Sequence, residues 1–250
     1  MTRAAGFFEE FVNRNAYQET ANDRRLIDSV TATARGVVPG CQVRWAGSQR
    51  KGTAIATSDL DLCVETARPI TESERRDLRA ALEAKLLRPA RVLSHAIRLP
   101  PHQNAPKVDV AFANAAFGSR PLPDTTTFHN RKGRQGAARA LKLWTRAGGL
   151  PYLPGWVIEA LVVHLDANAG AHTPFELFVR VIEWLDERAT PAAIEGVLRP
   201  AAHPRWNPAW SPTLPGRLEA LRNQARALRR RLKDAAQWRN ADDVGRCLRG

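Results

Sequence analysis

Residues 46–64, AGSQRKGTAIATSDLDLCV, carry the pattern on which the fold turns. A short strand-like segment ends in Gly47-Ser48, a polar turn follows, and Ser58–Glu65 then sets Leu60, Leu62 and Val64 in alternation with polar partners. A period of two is that of a half-buried strand, and residues i and i+2 of a strand project from the same face. Asp59 and Asp61 therefore point together, while Leu60 and Leu62 face a core. Like charges so placed repel, and a divalent cation relieves the repulsion. Hard oxygen ligands suit Mg2+, which keeps several waters and takes its remaining ligands from substrate phosphates. Asp109, between Val108 and Val110 in the segment KVDVAFA at Lys107–Ala113, adds a third carboxylate on what the alternation makes a neighbouring strand. The three carboxylates predict a two-metal site for in-line attack on a phosphoryl group, with two Mg2+ ions or Mn2+ in their place. Gly47 lets the backbone approach a phosphate closely. Ser48 offers a hydroxyl and a backbone N–H at the start of a helical turn, an arrangement suited to an anion.

Outward from that stretch, Cys41–Ala46 alternates Val43 and Trp45 against Gln42 and Arg44, which predicts a strand feeding the Gly-Ser turn. Residues 21–38 space Leu26, Ile27, Val30 and Ala34 at helical intervals, predicting an opening helical segment that continues from Phe7, Phe8 and Phe11. Thr71 and Glu74 form a capping box ahead of Leu78, Ala81, Leu82 and Leu86, predicting a helix that backs the sheet. After Arg120 the Pro-, Thr- and Gly-rich run PLPDTTTFHNRKGRQG gives way to helical texture. The expected domains are thus residues 1–125, an α/β catalytic domain that includes the N-terminal helices, and residues 126–250, a helical domain that closes a nucleotide cleft. In the second, helices are predicted over 136–147 and 156–167, and from Pro174 with Thr173 as its cap. A Pro- and Trp-rich loop at 199–216 precedes a last helix, where Leu218, Leu221, Ala225, Leu228 and Leu232 make the buried stripe.

At 250 residues with 44% hydrophobic and 25% charged, the chain is long enough to bury a substantial core and has no run of 18 apolar residues that would cross a membrane. The first residues lack a secretory signal, and Cys41, Cys63 and Cys247 are too few and scattered for a disulfide or zinc framework, so a reducing cytoplasm is the expected compartment. The six histidines show no ligand spacing with cysteine. The 38 Lys and Arg against 25 Asp and Glu give a formal charge of +13, which favours a polyanionic partner such as RNA or nucleotides. Of those cations 32 are Arg, suited to bidentate phosphate contact. Arg222, Arg226, Arg229 and Arg230 on the last helix form either a solvated face or an RNA-contacting one.

The Gly-Ser, the spacing to Asp-hydrophobic-Asp and the later third Asp resemble the signature of the DNA polymerase β-like nucleotidyltransferase superfamily. With Lys51, Gly52 and Thr53 following Gly-Ser, GSQRKGTAIATSDLDL looks most like the branch of oligoadenylate synthetases, bacterial cyclic-oligonucleotide synthases (CD-NTases) and archaeal CCA-adding enzymes. The resemblance implies that Gly47, Ser48, Lys51 and Thr53 contact the nucleotide, that Asp59 and Asp61 bind the metals, and that Asp109 joins them and helps activate the attacking hydroxyl. A second stretch, AARALKLWTRAGGLPYLPGWVIEAL, is similar to the family's Lys-hydrophobic-Trp helix and the segment after it, which aligns Lys142 with a triphosphate-contacting lysine. Gly155 and Trp156 stand where the family often has Ser and Tyr, so base stacking falls to Trp156 or Tyr152.

The expected fold is an α+β (α/β) polymerase β-like nucleotidyltransferase sheet with backing helices, followed by a helical domain. The expected reaction transfers a nucleoside monophosphate from an NTP such as ATP to a hydroxyl, releasing pyrophosphate without a template. The acceptor is either an RNA end, which the basic charge favours, or another nucleotide, as in a cyclic or linear oligonucleotide synthase. An alternative of another class is a catalytically silent RNA- or nucleotide-binding module.

Overall fold

The computed structural model describes residues 2–93, 96–102, 105–114, 125–147, 153–166, 172–198 and 215–250. They divide into two units, residues 17–125 and residues 1–16 with 126–250.

The first unit is built on a five-stranded sheet of order β1-β2-β5-β4-β3: β1 (Gln42–Trp45), β2 (Leu60–Thr66), β3 (Arg91–Val92), β4 (Ala96–Leu99) and β5 (Val108–Asn114). Only the central β2–β5 pair is parallel; β1 on β2, β4 on β5 and β3 on β4 are antiparallel. Period-two alternation places Leu60, Leu62 and Val64 of β2, Val108 and Val110 of β5, and Ile97 and Leu99 of β4 in one buried cluster. Helices α2 (Ala21–Val37) and α4 (Glu72–Leu86) cover it with Val30, Ala34, Leu78 and Leu82. Burying each such aliphatic side chain contributes roughly 1.5–3 kcal/mol relative to leaving it in water. The Thr71–Glu74 capping box expected at the start of α4 is formed, Thr71 Oγ1 accepting from the Glu74 N–H. A one-turn helix, α3 (Gly47–Lys51), joins β1 to the loop before β2 and ends on Gly52 in the left-handed region.

The second unit is helical. It comprises α1 (Arg3–Arg14), α5 (Thr125–Phe128), α6 (Lys132–Ala147), α7 (Gly155–Asp166), α8 (Pro174–Glu187), α9 (Pro191–Leu198), α10 (Pro215–Leu232) and α11 (Ala241–Arg249). Trp144, Phe178, Val181, Leu185, Leu221 and Leu228 lie in its core, and Trp184 is also buried, so both tryptophans serve packing, as large aromatics most often do. The predicted stripe is that of α10, buried from Leu218 to Leu232, but α10 is not the last helix as expected, since α11 follows it.

Three further expectations are corrected. The opening helical segment is two helices, because Thr20 caps α2 through a capping box with Asp23 and the chain between Asn15 and Thr20 leaves the helix. The first of them, α1, belongs to the helical unit rather than to a 1–125 domain. Phe8 packs on Phe175 and Phe178 of α8, with ring centroids 5.2 and 5.1 Å apart. The sheet also has two strands more than the three expected. The Pro- and Trp-rich loop at 199–214, Tyr152, His95 and His203 lie outside the described residues. Among the described residues no helix is long and apolar enough to cross a membrane.

Candidate active site

Asp61 pairs in register with Asp109 across the parallel β2–β5 ladder, and Asp109 pairs in turn with Arg98 of β4. Asp59, one residue before β2, shares the Asp61 face by the two-residue period. Three carboxylates from two strands thus occupy the sheet face opposite the apolar core, as the sequence pattern requires.

The Gly47-Ser48 turn is fitted to Asp61. Gly47 has φ +52, and a Cβ there would collide with the Asp61 carboxylate. The Ser48 backbone N–H donates to that carboxylate, so the anion this N–H meets within the fold is the protein's own aspartate. Gln49 ties the same segment down from the other side: its Nε2 donates to the Asp59 carbonyl at 2.5 Å and its Oε1 accepts the Asp61 N–H at 3.4 Å. Burial, and then the charges of Asp109 and Asp59, push the Asp61 carboxyl up to about 6, against the pull of Lys107 and the Ser48 N–H. Perturbation of this kind clusters at functional sites.

Two cations lie among the carboxylates. Lys107 Nζ stands 2.5 Å from Asp59 Oδ2 and 3.9 Å from Asp109 Oδ2. Arg98 grips Asp109 with both arms of its fork, Nε to Oδ1 at 2.8 Å and Nη2 to Oδ2 at 2.9 Å. Among the described residues no group of three or more His, Cys, Asp or Glu is placed to hold a metal ion. In this arrangement Asp59 is turned onto Lys107 and Asp109 onto Arg98. The donor set still suits a hard divalent cation, because it consists of carboxylate oxygens whose mutual repulsion two side-chain cations offset only in part.

The remaining candidates are placed less openly than expected. Lys51 and Thr53 are buried, the Thr53 N–H donating to the Ser48 carbonyl. Lys142 is also buried, and its ammonium is paired with Glu159 of α7 at 3.1 Å. The absence of a Cβ at Gly155 leaves room for the end of this lysine. Trp156, next to Gly155, is partly buried and packs against the helical core. On α10, Arg226 binds Asp186 at 3.1 Å, and Arg229 binds Asp186 at 3.2 Å and Glu187 at 2.5 Å. The acidic end of α8 thus occupies two of the four arginines set aside for RNA; Arg230 is exposed and Arg222 is partly so. All three cysteines are free and buried, and burial pushes the Cys63 thiol up to about 11, which keeps it protonated and inert at neutral pH. Sequence reading missed Arg98 and the bridging role of Lys107. The signal for Arg98 was present, since Ile97 and Leu99 flank it as Val108 and Val110 flank Asp109.

A mixed sheet with one central parallel pair, carboxylates on both strands of that pair and a Gly-Ser turn beside them fits the expected polymerase β-like nucleotidyltransferase fold, and solved structures of RNA nucleotidyltransferases share that fold. Residues 7–98 match the family model described as the central palm domain of mitochondrial-like poly(A) RNA polymerases; Asp109 lies beyond the matched stretch. Among solved structures, the Cid1 poly(U) polymerase with MgGTP bound aligns with a TM-score of 0.70 at 13% identity, covering 98% of each chain. GLD-2, in its complex with RNP-8, aligns with a TM-score of 0.69 at 11% identity over 99% of this chain and 98% of its own. A cytoplasmic RNA terminal U-transferase aligns with a TM-score of 0.56 at 13% identity over 75% and 72%. A comparison with curated protein sequences gives no match.

Proposed function

We propose that the protein is a template-independent nucleotidyltransferase that adds nucleotides to an RNA end. The observation that carries this reading is the register of Asp61 with Asp109 on one face of the sheet, with Asp59 beside them and Gly47 packed against the Asp61 carboxylate. The family match to a poly(A) RNA polymerase palm and the fold likeness to poly(U) polymerase and terminal U-transferase support RNA rather than a free nucleotide as acceptor. In the reaction, an oxygen of the acceptor hydroxyl forms a bond to the α-phosphorus of an NTP. The bond from that phosphorus to the bridging oxygen breaks, and pyrophosphate leaves with the electron pair.

Asp59 and Asp61 are the residues that would hold Mg2+, which when bound stabilises negative charge on the attacking and leaving oxygens. Gln49 ties down the backbone of the Asp59–Asp61 segment and Gly47 leaves room for the Asp61 carboxylate, so the two residues are held on one face of the sheet. Asp109, oriented by the Arg98 fork, would accept the proton of the attacking hydroxyl.

The test is incubation with each labelled NTP and Mg2+ or Mn2+, with and without a short RNA, beside an Asp59→Ala/Asp61→Ala protein. The expected result is RNA extended by the wild type, with the double variant folded and at background. A small phosphatase-resistant product formed without RNA would replace this reading with an oligonucleotide synthase, and RNA binding without any product would replace it with a silent binding module.

A further inference from the structure

Lys107 and Arg98 both meet the carboxylate cluster, but they meet it differently. Arg98 is a strand residue paired with Asp109 through the β4–β5 register, and its planar fork makes two parallel contacts to both Asp109 oxygens. Such a bidentate contact fixes orientation as well as charge. Lys107 precedes β5, carries a single ammonium on a flexible four-carbon stem, and reaches Asp59 Oδ2 at 2.5 Å and Asp109 Oδ2 at 3.9 Å from a side chain that is 25% exposed. A divalent cation taking Asp59 as a ligand would sit about 2.0–2.1 Å from a carboxylate oxygen. An ammonium already at hydrogen-bond distance from Oδ2 would then share that oxygen with a doubly charged ion and be repelled by it. Because the stem is flexible and partly exposed, Lys107 has somewhere to go; Arg98, tied by two bonds, does not need to move.

We propose that Lys107 is a built-in competitor for the divalent cation: its ammonium and the metal share Asp59, so metal enters the site in exchange for release of Lys107, while Arg98 stays as the positioning residue for Asp109. The inference rests on the nucleotidyltransferase reading above, in which Asp59 is a metal ligand. Its consequence is that free metal binds weakly on its own, the lysine having to be displaced first.

The experiment measures Mn2+ binding to the full chain by electron paramagnetic resonance, without nucleotide or RNA, in the wild type and in Lys107→Met, Lys107→Arg and Asp59→Ala. The Leu60 N–H donates to the Lys107 carbonyl at 2.9 Å, a backbone contact that the side-chain changes leave in place. Thermal unfolding checks that each variant is folded, and Lys107→Gln serves as the second neutral variant if Lys107→Met is not. The Mn2+ Kd is expected to fall about tenfold when the ammonium is removed, equivalent to about 1.4 kcal/mol. It is expected to stay near the wild-type value in Lys107→Arg and to rise beyond measurement in Asp59→Ala. Metal bound by the wild type and by Lys107→Met with equal Kd, or more weakly by the latter, would overturn the competition while leaving the metal-dependent reading intact. No Mn2+ bound by any variant would overturn both.

Discussion

Among the described residues of the helical unit, ion pairs with a buried member join Lys142 with Glu159, and Arg226 and Arg229 with Asp186, while Arg134 pairs with the partly buried Asp166. In the sheet unit, Asp59, Asp61 and Asp109 crowd one face, and the two cations that reach them both fall on Asp59 or Asp109, which leaves Asp61 with the Ser48 N–H. The first arrangement settles charge and holds helices together. The second leaves repulsion standing in a folded protein, which a sequence selected for stability alone would not keep. Removing a carboxylate should therefore have opposite signs in the two places.

The largest effect should come from Glu159→Leu. It takes the Glu159 carboxylate away from the Lys142 ammonium, whose side chain is 8% exposed, and a buried pair broken from one side costs about 3–5 kcal/mol. Urea unfolding should show that loss, and the double change Lys142→Met/Glu159→Leu should recover most of it; a loss under about 1 kcal/mol in the single variant would mean that the pair is not structural.

Next comes Asp61→Asn, which should stabilise. With the folded carboxyl at about 6 and an unfolded value of about 4, the folded state binds this proton more tightly. The stability owed to protonated Asp61 is therefore complete below about pH 4 and is lost as pH rises through about 6. In the presence of a chelator, the Asn variant should be more stable by about 2 kcal/mol at pH 7–8 and indistinguishable from wild type near pH 4. Melting curves across that range check it, and a gain that persists at pH 4 would assign the effect to packing.

The smallest effect is expected for Arg226→Ala. Its side chain is 48% exposed, and surface pairs contribute about 1 kcal/mol or less. A change in RNA affinity, measured by filter binding, larger than that in stability would return Arg226 to the RNA-contacting face from which its pairing with Asp186 removes it.

The site was largely legible because its pattern is local. Alternation in LDLCV and VDV decides which way Asp59, Asp61 and Asp109 point, and Gly47 stands within the same short stretch. What escaped was set by distant contacts. Strand β4 has four residues, too few for alternation to stand out, and only its pairing with β5 brings Arg98 to Asp109. The charge run on α10 reads as free cations until the acidic end of α8 is seen packed against it. For α1, the apolar stripe with Phe8 and Val12 shows that a face is buried but not in which core, and it was the aromatic contacts to α8 that decided this.

The parallel pairing of β2 with β5 has a further bearing, on how the protein comes into being. Parallel neighbours cannot be joined by a tight turn, and here α4, β3 and β4 are all made between them. A nascent chain that has emerged only as far as α4 already holds Asp59 and Asp61, but neither Asp109 nor the Arg98 and Lys107 that steady the group. During synthesis the three carboxylates are therefore not assembled until the central strand slots in, and a fragment ending before Val108 would lack the pairing of Asp61 with Asp109.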